Sequence, residues 1–343
     1  MKKRILISVC AILVIALLLA FLQALVVPKY RENPEGALIR EYYAEAGGHD
    51  VLFVGDCEVY ESIVPAVLWE QYGISSYIRG SAQQLAWQSY YLMEESFRYE
   101  KPQVVVFNVL ALKYGTPQSE AFNRMTLDGM KWSSQKINSI RTSMTADEQF
   151  LDYVFPILRF HSRITSLTAD DLRYLFRSPS VSQCGYLMQT AIRPMGETME
   201  GARLSDYTLP AESMAYLDRM RTLCKENGAE LILMKAPTNS WAYWWYDEWD
   251  EQIVSYAETY GLSYYNFIDA TEQIGIDWSY DTYDEGVHLN VYGAEKLSNY
   301  FGEILREKHG VADRRADEAQ GARWRQRVAN YYEQKERMEE KTK

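Results

Sequence analysis

Cysteine and histidine are scarce in this chain, with four of each among 343 residues. The cysteines (Cys10, Cys57, Cys184, Cys224) form no CxxC pair, and the histidines (His49, His161, His288, His309) stand singly. No zinc-ligand cluster can be read from such spacing, and nothing in the pattern asks for an organic cofactor. Proline (10) and glycine (19) are few, beside 47% hydrophobic and 24% charged residues. That composition excludes a collagen-like, low-complexity or wholly disordered chain. Positive charge is the minority. The formal net charge is −11, and setting aside Lys2, Lys3 and Arg4 takes it to −14. A surface of that sign repels phosphate, which excludes nucleic acid as the main partner.

What the sequence does have begins at residue 5. Residues 5–27 carry no charge, and at ~1.5 Å per residue such a run covers a hydrocarbon core of ~30 Å. A secretory signal peptide usually has a shorter apolar stretch and a small-residue cleavage site. Here Pro28, Lys29, Tyr30 and Arg31 follow directly. The segment reads as an uncleaved signal anchor, with residues 1–4 as a cytoplasmic tail. The basic residues before the run keep that end inside and place the rest of the chain outside a bacterial cell membrane, as a single-pass protein. Three cysteines then lie outside, so at most one disulfide could form.

Beyond a polar connector (28–48), short apolar runs alternate with helical patterns. The runs are 51–54, 75–78, 104–107, 230–234 and 264–267, and the helices are expected over 61–72, 82–99, 212–227, 247–260 and 291–307. Gly73, Gly228 and Gly261 stop three of those helices. Short uniformly apolar strands separated by helices imply a doubly wound α/β domain over 49–310, with about five parallel strands. Residues 114–205 break the alternation and are too long for a plain loop. They read as a mainly helical insertion that leaves and re-enters near the carboxyl edge of the sheet and lies over it. His161 falls inside it, with a structural role expected. Residues 311–343 are dominated by charge, with Trp324, Val328, Tyr331 and Tyr332 at helical spacing. They read as a solvated helical tail, lightly docked.

In such sheets ligands bind beyond the carboxyl ends of the strands. Gly55, Asp56, Cys57 and Glu58 follow the first strand, and Arg79, Gly80 and Ser81 the second. Asn108 ends the third, and Lys235 to Thr238 follow the fourth. After the fifth come Asp281, Asp284, Glu285 and His288, just before the last helix. Acyl transfer needs a nucleophile, a base and a carboxylate to orient the base, together with donors for the oxyanion. A thiol that begins a helix is lowered by the helix field. Asp56 and Glu58 would raise it if they point inward.

This set resembles the SGNH (GDSL) hydrolase family, in particular its membrane-anchored members in Gram-positive bacteria. Gly55-Asp56-Cys57 stands at the Gly-Asp-Ser block, with cysteine in place of the nucleophilic serine. Gly80 matches the oxyanion-hole glycine. Asn108 stands where the family has an asparagine, without the flanking Gly and Asp, and His288 matches the Asp-x-x-His block. Glu285 has the family spacing to that histidine, and Asp284 and Asp281 are alternatives. The resemblance runs in order over roughly residues 50–308. It implies a flavodoxin-like three-layer α/β/α sandwich and an esterase or O-acyltransferase. In it Cys57 attacks, His288 is the base, Asp284 or Glu285 orients it, and the N–H groups of Cys57 and Gly80 with Asn108 hold the oxyanion. The substrate class it implies is an acylated cell-envelope glycan or glycopolymer, and a membrane-bound O-acyltransferase is the partner. The departure from serine leaves open an inactive member that binds or assembles envelope glycan. Six aromatics crowd residues 241–249, and with Lys235 the rings of Trp241 and Trp244 are candidates to meet sugar at the site edge.

Overall fold

The computed structural model describes residues 2–29, 34–177, 179–197, 200–239 and 245–342. Five strands form one parallel sheet: β1 (Val51–Gly55), β2 (Ser76–Gly80), β3 (Val104–Asn108), β4 (Glu230–Lys235) and β5 (Ser263–Asn266), in the order β2-β1-β3-β4-β5. Every residue of β1, β2 and β3 is buried. That is why these strands are uniformly apolar rather than alternating. β5, at the edge, is half-buried, and its sequence, Ser-Tyr-Tyr-Asn, is correspondingly amphipathic. β1 neighbours both β2 and β3, so the chain turns in opposite directions on leaving β1 and β2. The carboxyl end of β1 is the switch point where α/β sheets open a crevice.

The helices are α1 (Lys2–Val26), α2 (Pro34–Glu45), α3 (Cys57–Tyr60), α4 (Pro65–Tyr72), α5 (Ala86–Ser96), α6 (Glu120–Leu127), α7 (Ser134–Ser143), α8 (Phe150–Val154), α9 (Pro156–Phe160), α10 (Ala169–Phe176), α11 (Ala211–Asn227), α12 (Asp247–Tyr260), α13 (Thr271–Ile274), α14 (Val291–Glu307) and α15 (Glu318–Thr342). Side chains alternate across the sheet. Leu52, Val54, Val105, Phe107 and Leu233 meet α5, α11 and α12 on one face. Val51, Phe53, Val106, Ile232 and Met234 meet α4 and α14 on the other. The result is a flavodoxin-like three-layer α/β/α sandwich. α1 is long and apolar enough to cross a membrane, and its apolar residues are exposed.

Two segments differ from the sequence reading. The insertion is helical through α10, but from residue 179 to 210 its described part is extended and irregular. Its helices pack along the outer side of α2 and α5, around Ile39, Leu92, Leu127 and Ile140, and they touch the carboxyl edge where Thr126 meets Ser81 (2.5 Å). The irregular half, not the helical one, runs beside the loops at that edge. Leu187 N–H donates to Tyr60 O, Arg193 N–H to Thr282 O, and Met195 N–H to Trp278 O. The charged tail is also firmly seated. α15 buries Trp324 and Tyr331 completely. Trp324 stacks on Trp69 at 5.2 Å and 7°, Tyr331 donates to Glu295 (2.6 Å), and Arg314 grips Asp50 through two nitrogens (2.7 and 3.0 Å). A helix needs only a narrow apolar seam to dock, and a high overall charge conceals such a seam.

Candidate active site

β1 ends in Gly55, at φ +158°, in close approach to Val59 and Asn108. The next residue, Asp56, caps the single turn of α3, its Oδ1 accepting from Glu58 N–H (3.2 Å) and its carbonyl accepting from Val59 N–H (3.1 Å). Cys57 is therefore the first residue of α3, held at the switch point and partly accessible. On the other side of the crevice Asn290 caps α14 through Tyr292 and Gly293 N–H groups. The loop before it folds back so that His288 faces β1.

Across the crevice Cys57 Sγ lies 3.2 Å from His288 Nε2, and His288 Nδ1 lies 2.7 Å from Asp284 Oδ2. Asp284 Oδ1 also accepts from the His288 backbone N–H (2.8 Å). This carboxylate therefore fixes both the ring and the loop that carries it. The two other acids considered from the sequence point elsewhere. Asp281 is buried against Lys296 (2.6 Å) and the Asp277 N–H (2.7 Å). Glu285 takes left-handed backbone, φ +67°, followed by Gly286 at +98°. That reversal, closed by Gly286 N–H donating to Thr282 Oγ1 (2.9 Å), brings residue 284 rather than 285 against the imidazole.

Glu61, one turn beyond Cys57, places Oε2 3.8 Å from His288 Nδ1 and accepts from Tyr283 OH (2.9 Å). The Tyr283 ring lies nearly parallel to the imidazole. Sequence reasoning missed both residues. The signal that could have found Glu61 is its i+4 spacing from Cys57, which puts the two on one face of a helical turn. A single turn is too short to be recognised as a helix by pattern.

The remaining candidates form a polar layer beneath the thiol. Asn108 donates through Nδ2 to Asp56 Oδ1 (3.1 Å) and Glu58 Oε2 (2.9 Å), and its Oδ1 accepts from Ala236 N–H (3.3 Å). Both amide hydrogens are thus taken by carboxylates, so Asn108 ties three strand ends together and offers no donor to an oxyanion. Lys235, fully buried, donates to Glu58 Oε1 (2.7 Å) and to the Ala236 carbonyl (3.0 Å); its ammonium neutralises Glu58 and does not face the crevice. Gly80 ends β2 opposite Gly55. A side chain there would crowd the Gly55 carbonyl and the Tyr60 ring, both 3.1 Å from a Cβ. Trp241 and Trp244 lie outside the described residues. His161 is exposed in the 3-10 turn His161–Ser166, beside the Leu158 carbonyl (3.0 Å).

Burial sets the proton positions. It pushes the Cys57 thiol up to about 11, with Asp56 and Glu61 adding to the rise and the His288 imidazole opposing it. The helix field expected to lower the thiol comes from one turn only and is outweighed. Burial works against charge on His288 as well, yet the Cys57 sulfur, Asp284 and Glu61 hold its pKa well above the ordinary imidazole range. Burial and the neighbouring Glu58 raise Asp56 to about 7, and burial lowers Lys113, at the end of the turn after β3, to about 8. Chemically, the arrangement is a nucleophile, a base in contact with it, and a carboxylate orienting the base. Among the described residues no group of three or more His, Cys, Asp or Glu is placed to hold a metal ion.

No family model matches this chain, and no curated protein does. Solved structures similar to it include a proposed acylhydrolase from Bacteroides fragilis (14% identity, 78% of this chain and 94% of that one, TM-score 0.37). A GDSL-like lipase from Bacteroides thetaiotaomicron is also similar (12% identity, 80% and 99%, TM-score 0.36).

Proposed function

We propose that this chain is a single-pass, membrane-anchored, extracytoplasmic esterase or O-acyltransferase of SGNH type, acting on acyl esters of a cell-envelope glycan or glycopolymer. The observation that carries the chemistry is the unbroken chain Cys57 Sγ–His288 Nε2 (3.2 Å) and His288 Nδ1–Asp284 Oδ2 (2.7 Å). In the first half-reaction Sγ attacks the acyl carbonyl and its proton passes to His288. The C–O bond to the glycan breaks and His288 returns the proton to the leaving alkoxide. In the second, His288 takes a proton from water or an acceptor hydroxyl as its oxygen attacks the thioester carbonyl; the C–S bond breaks and His288 returns the proton to the sulfur. Asp284 holds the imidazole in the tautomer that presents Nε2 to sulfur. The N–H of Cys57, at the first position of α3, has no intrahelical partner and is assigned to the oxyanion with Gly80 N–H. Loss of one such donor costs about 3 kcal/mol, so a hole without Asn108 is a weaker one. The extracytoplasmic side and the anchor rest on Lys2–Arg4 preceding the uncharged run of α1. A membrane-bound O-acyltransferase as partner belongs to the same reading.

A second reading, an inactive protein that binds or assembles envelope glycan, is favoured by one observation. The Asn108 amide is spent on Asp56 and Glu58. Hydrolysis of a small activated ester and release of acetate from O-acetylated glycan by the full chain, with Cys57→Ala beside it, separate the two. The enzyme reading expects turnover that falls at least ~1,000-fold in Cys57→Ala. Equal rates in both, or none in either alongside retained glycan binding, select the second.

A further inference from the structure

The insertion meets the end of the apolar helix. α9, the 3-10 turn and α10 all pack against α1. Arg163 donates through Nη1 to the Val26 carbonyl (2.8 Å), and Lys29 caps the carbonyls of Ala24, Leu25 and Val27. Phe160 lines a cavity of about 330 Å³ with Val27 and Pro28. Tyr174 and Leu175 line another with Ala24 and Val27. These contacts fix α9 and α10, with α8 packed on α9, at the level where the apolar run gives way to polar chain.

The same elements leave large apolar side chains uncovered. Leu151 is 53% exposed, Phe155 47%, Leu158 52%, Ile164 52%, Leu172 47% and Phe176 82%. Leu172 and Phe176 are one turn apart on α10 and share a face. Arg173 and Arg177, both exposed, flank that face. Elsewhere beyond α1, among the described residues, the exposed large aliphatic side chains are scattered singly: Ile192, Met195, Leu204 and Val254. Isolated exposed apolar residues are ordinary; a run of them on adjoining short helices is not. A helix with one apolar face bordered by arginines suits the boundary between headgroups and acyl chains, where the guanidinium reaches phosphate.

We propose that residues 151–176 form a second membrane contact, an interfacial platform whose apolar side chains enter the lipid leaflet beside α1. The occupant is lipid because the platform is continuous with α1 at the depth where α1 leaves the bilayer. A lone helix would let the domain swivel, and the platform fixes its tilt. The inference rests on reading α1 as a membrane span, and it is independent of the chemistry at Cys57.

The test uses the full chain in phosphatidylcholine–phosphatidylglycerol nanodiscs. A photo-crosslinking phenylalanine analogue replaces, one at a time, Ile15 in α1, Leu158, Leu172, Phe176, and Tyr260 as a control on α12. After irradiation, lipid adducts are read by intact mass. The expected result is lipid adducts at 15, 158, 172 and 176, at least fivefold above 260. Adducts at 15 with none at 158, 172 and 176 overturn the platform and keep the span. No adduct at 15 overturns both. Cross-links at 172 and 176 to a second copy of the chain, or adducts at 260 equal to those at 176, also overturn it.

Discussion

Cys57 is subject to opposing influences on its proton. Burial, Asp56 and Glu61 favour the thiol, and the imidazole of His288 favours the thiolate. The sign of the balance is testable. Alkylation by iodoacetamide is expected to rise with pH through a midpoint above the ~8.5 of a free cysteine. In His288→Ala the midpoint moves higher still, because the positive neighbour that favoured the thiolate is gone. A midpoint below that of free cysteine, or no movement in the variant, contradicts the assignment. The thiolate on Cys57 and the charge on His288 favour each other, so the two groups titrate as a pair, and the attacking form has the proton on the imidazole. Lys235 makes a separate claim. Its ammonium is the buried counter-charge of Glu58, and removing one partner of such a pair costs about 3–5 kcal/mol. Lys235→Met should lower unfolding stability by that amount, and Glu58→Gln combined with it should recover most of the loss. If the double variant is no more stable than the single, the pairing is not what holds Lys235.

The elements explain what could be read from the sequence and what could not. β1, β3 and β4 were legible because fully buried parallel strands are short, uniformly apolar runs, and the polar residue ending each run marks the carboxyl edge. That edge brought Cys57 and His288 to one crevice, and the resemblance to the SGNH blocks gave the two their expected roles. The choice of Asp284 over Glu285 did not, because it depends on the left-handed turn at Glu285 and Gly286, which a three-residue spacing rule does not contain. Asn108 and Lys235 were misplaced for a similar reason. Their partners come from the ends of other strands, and only side-chain register shows that carboxylates claim them. α15 was undervalued because its apolar seam is narrow. The stacked Trp324–Trp69 pair is the test of that seam. Trp324→Ala should cost about 3–5 kcal/mol and open the segment before α15 to limited proteolysis. Trp132→Ala, at an exposed indole, should change stability by no more than ~0.5 kcal/mol. Equal effects from the two would mean that α15 is not an integral layer.

At the scale of the whole molecule the parts form a sequence from the apolar helix to the site. α1 is long and apolar enough to cross a membrane, the helical insertion packs against it, and the irregular half of the insertion, from Leu187 to Met195, runs on to the loops that carry Cys57 and His288. Topology is open to direct measurement. Protease added to intact cells should remove the domain and leave a short N-terminal membrane peptide. A domain protected until lysis would reverse the orientation and, with it, the proposed envelope substrate.

The central claim is that Cys57 carries the acyl group. The full chain mixed with an activated acetyl ester, quenched in acid and mapped by peptide mass spectrometry, tests it directly. An acetyl group on the Cys57 peptide, absent from those of Cys184 and Cys224 and lost in His288→Ala, is the expected result. Ester turnover with no acyl group on Cys57, or acylation undiminished in His288→Ala, would contradict it.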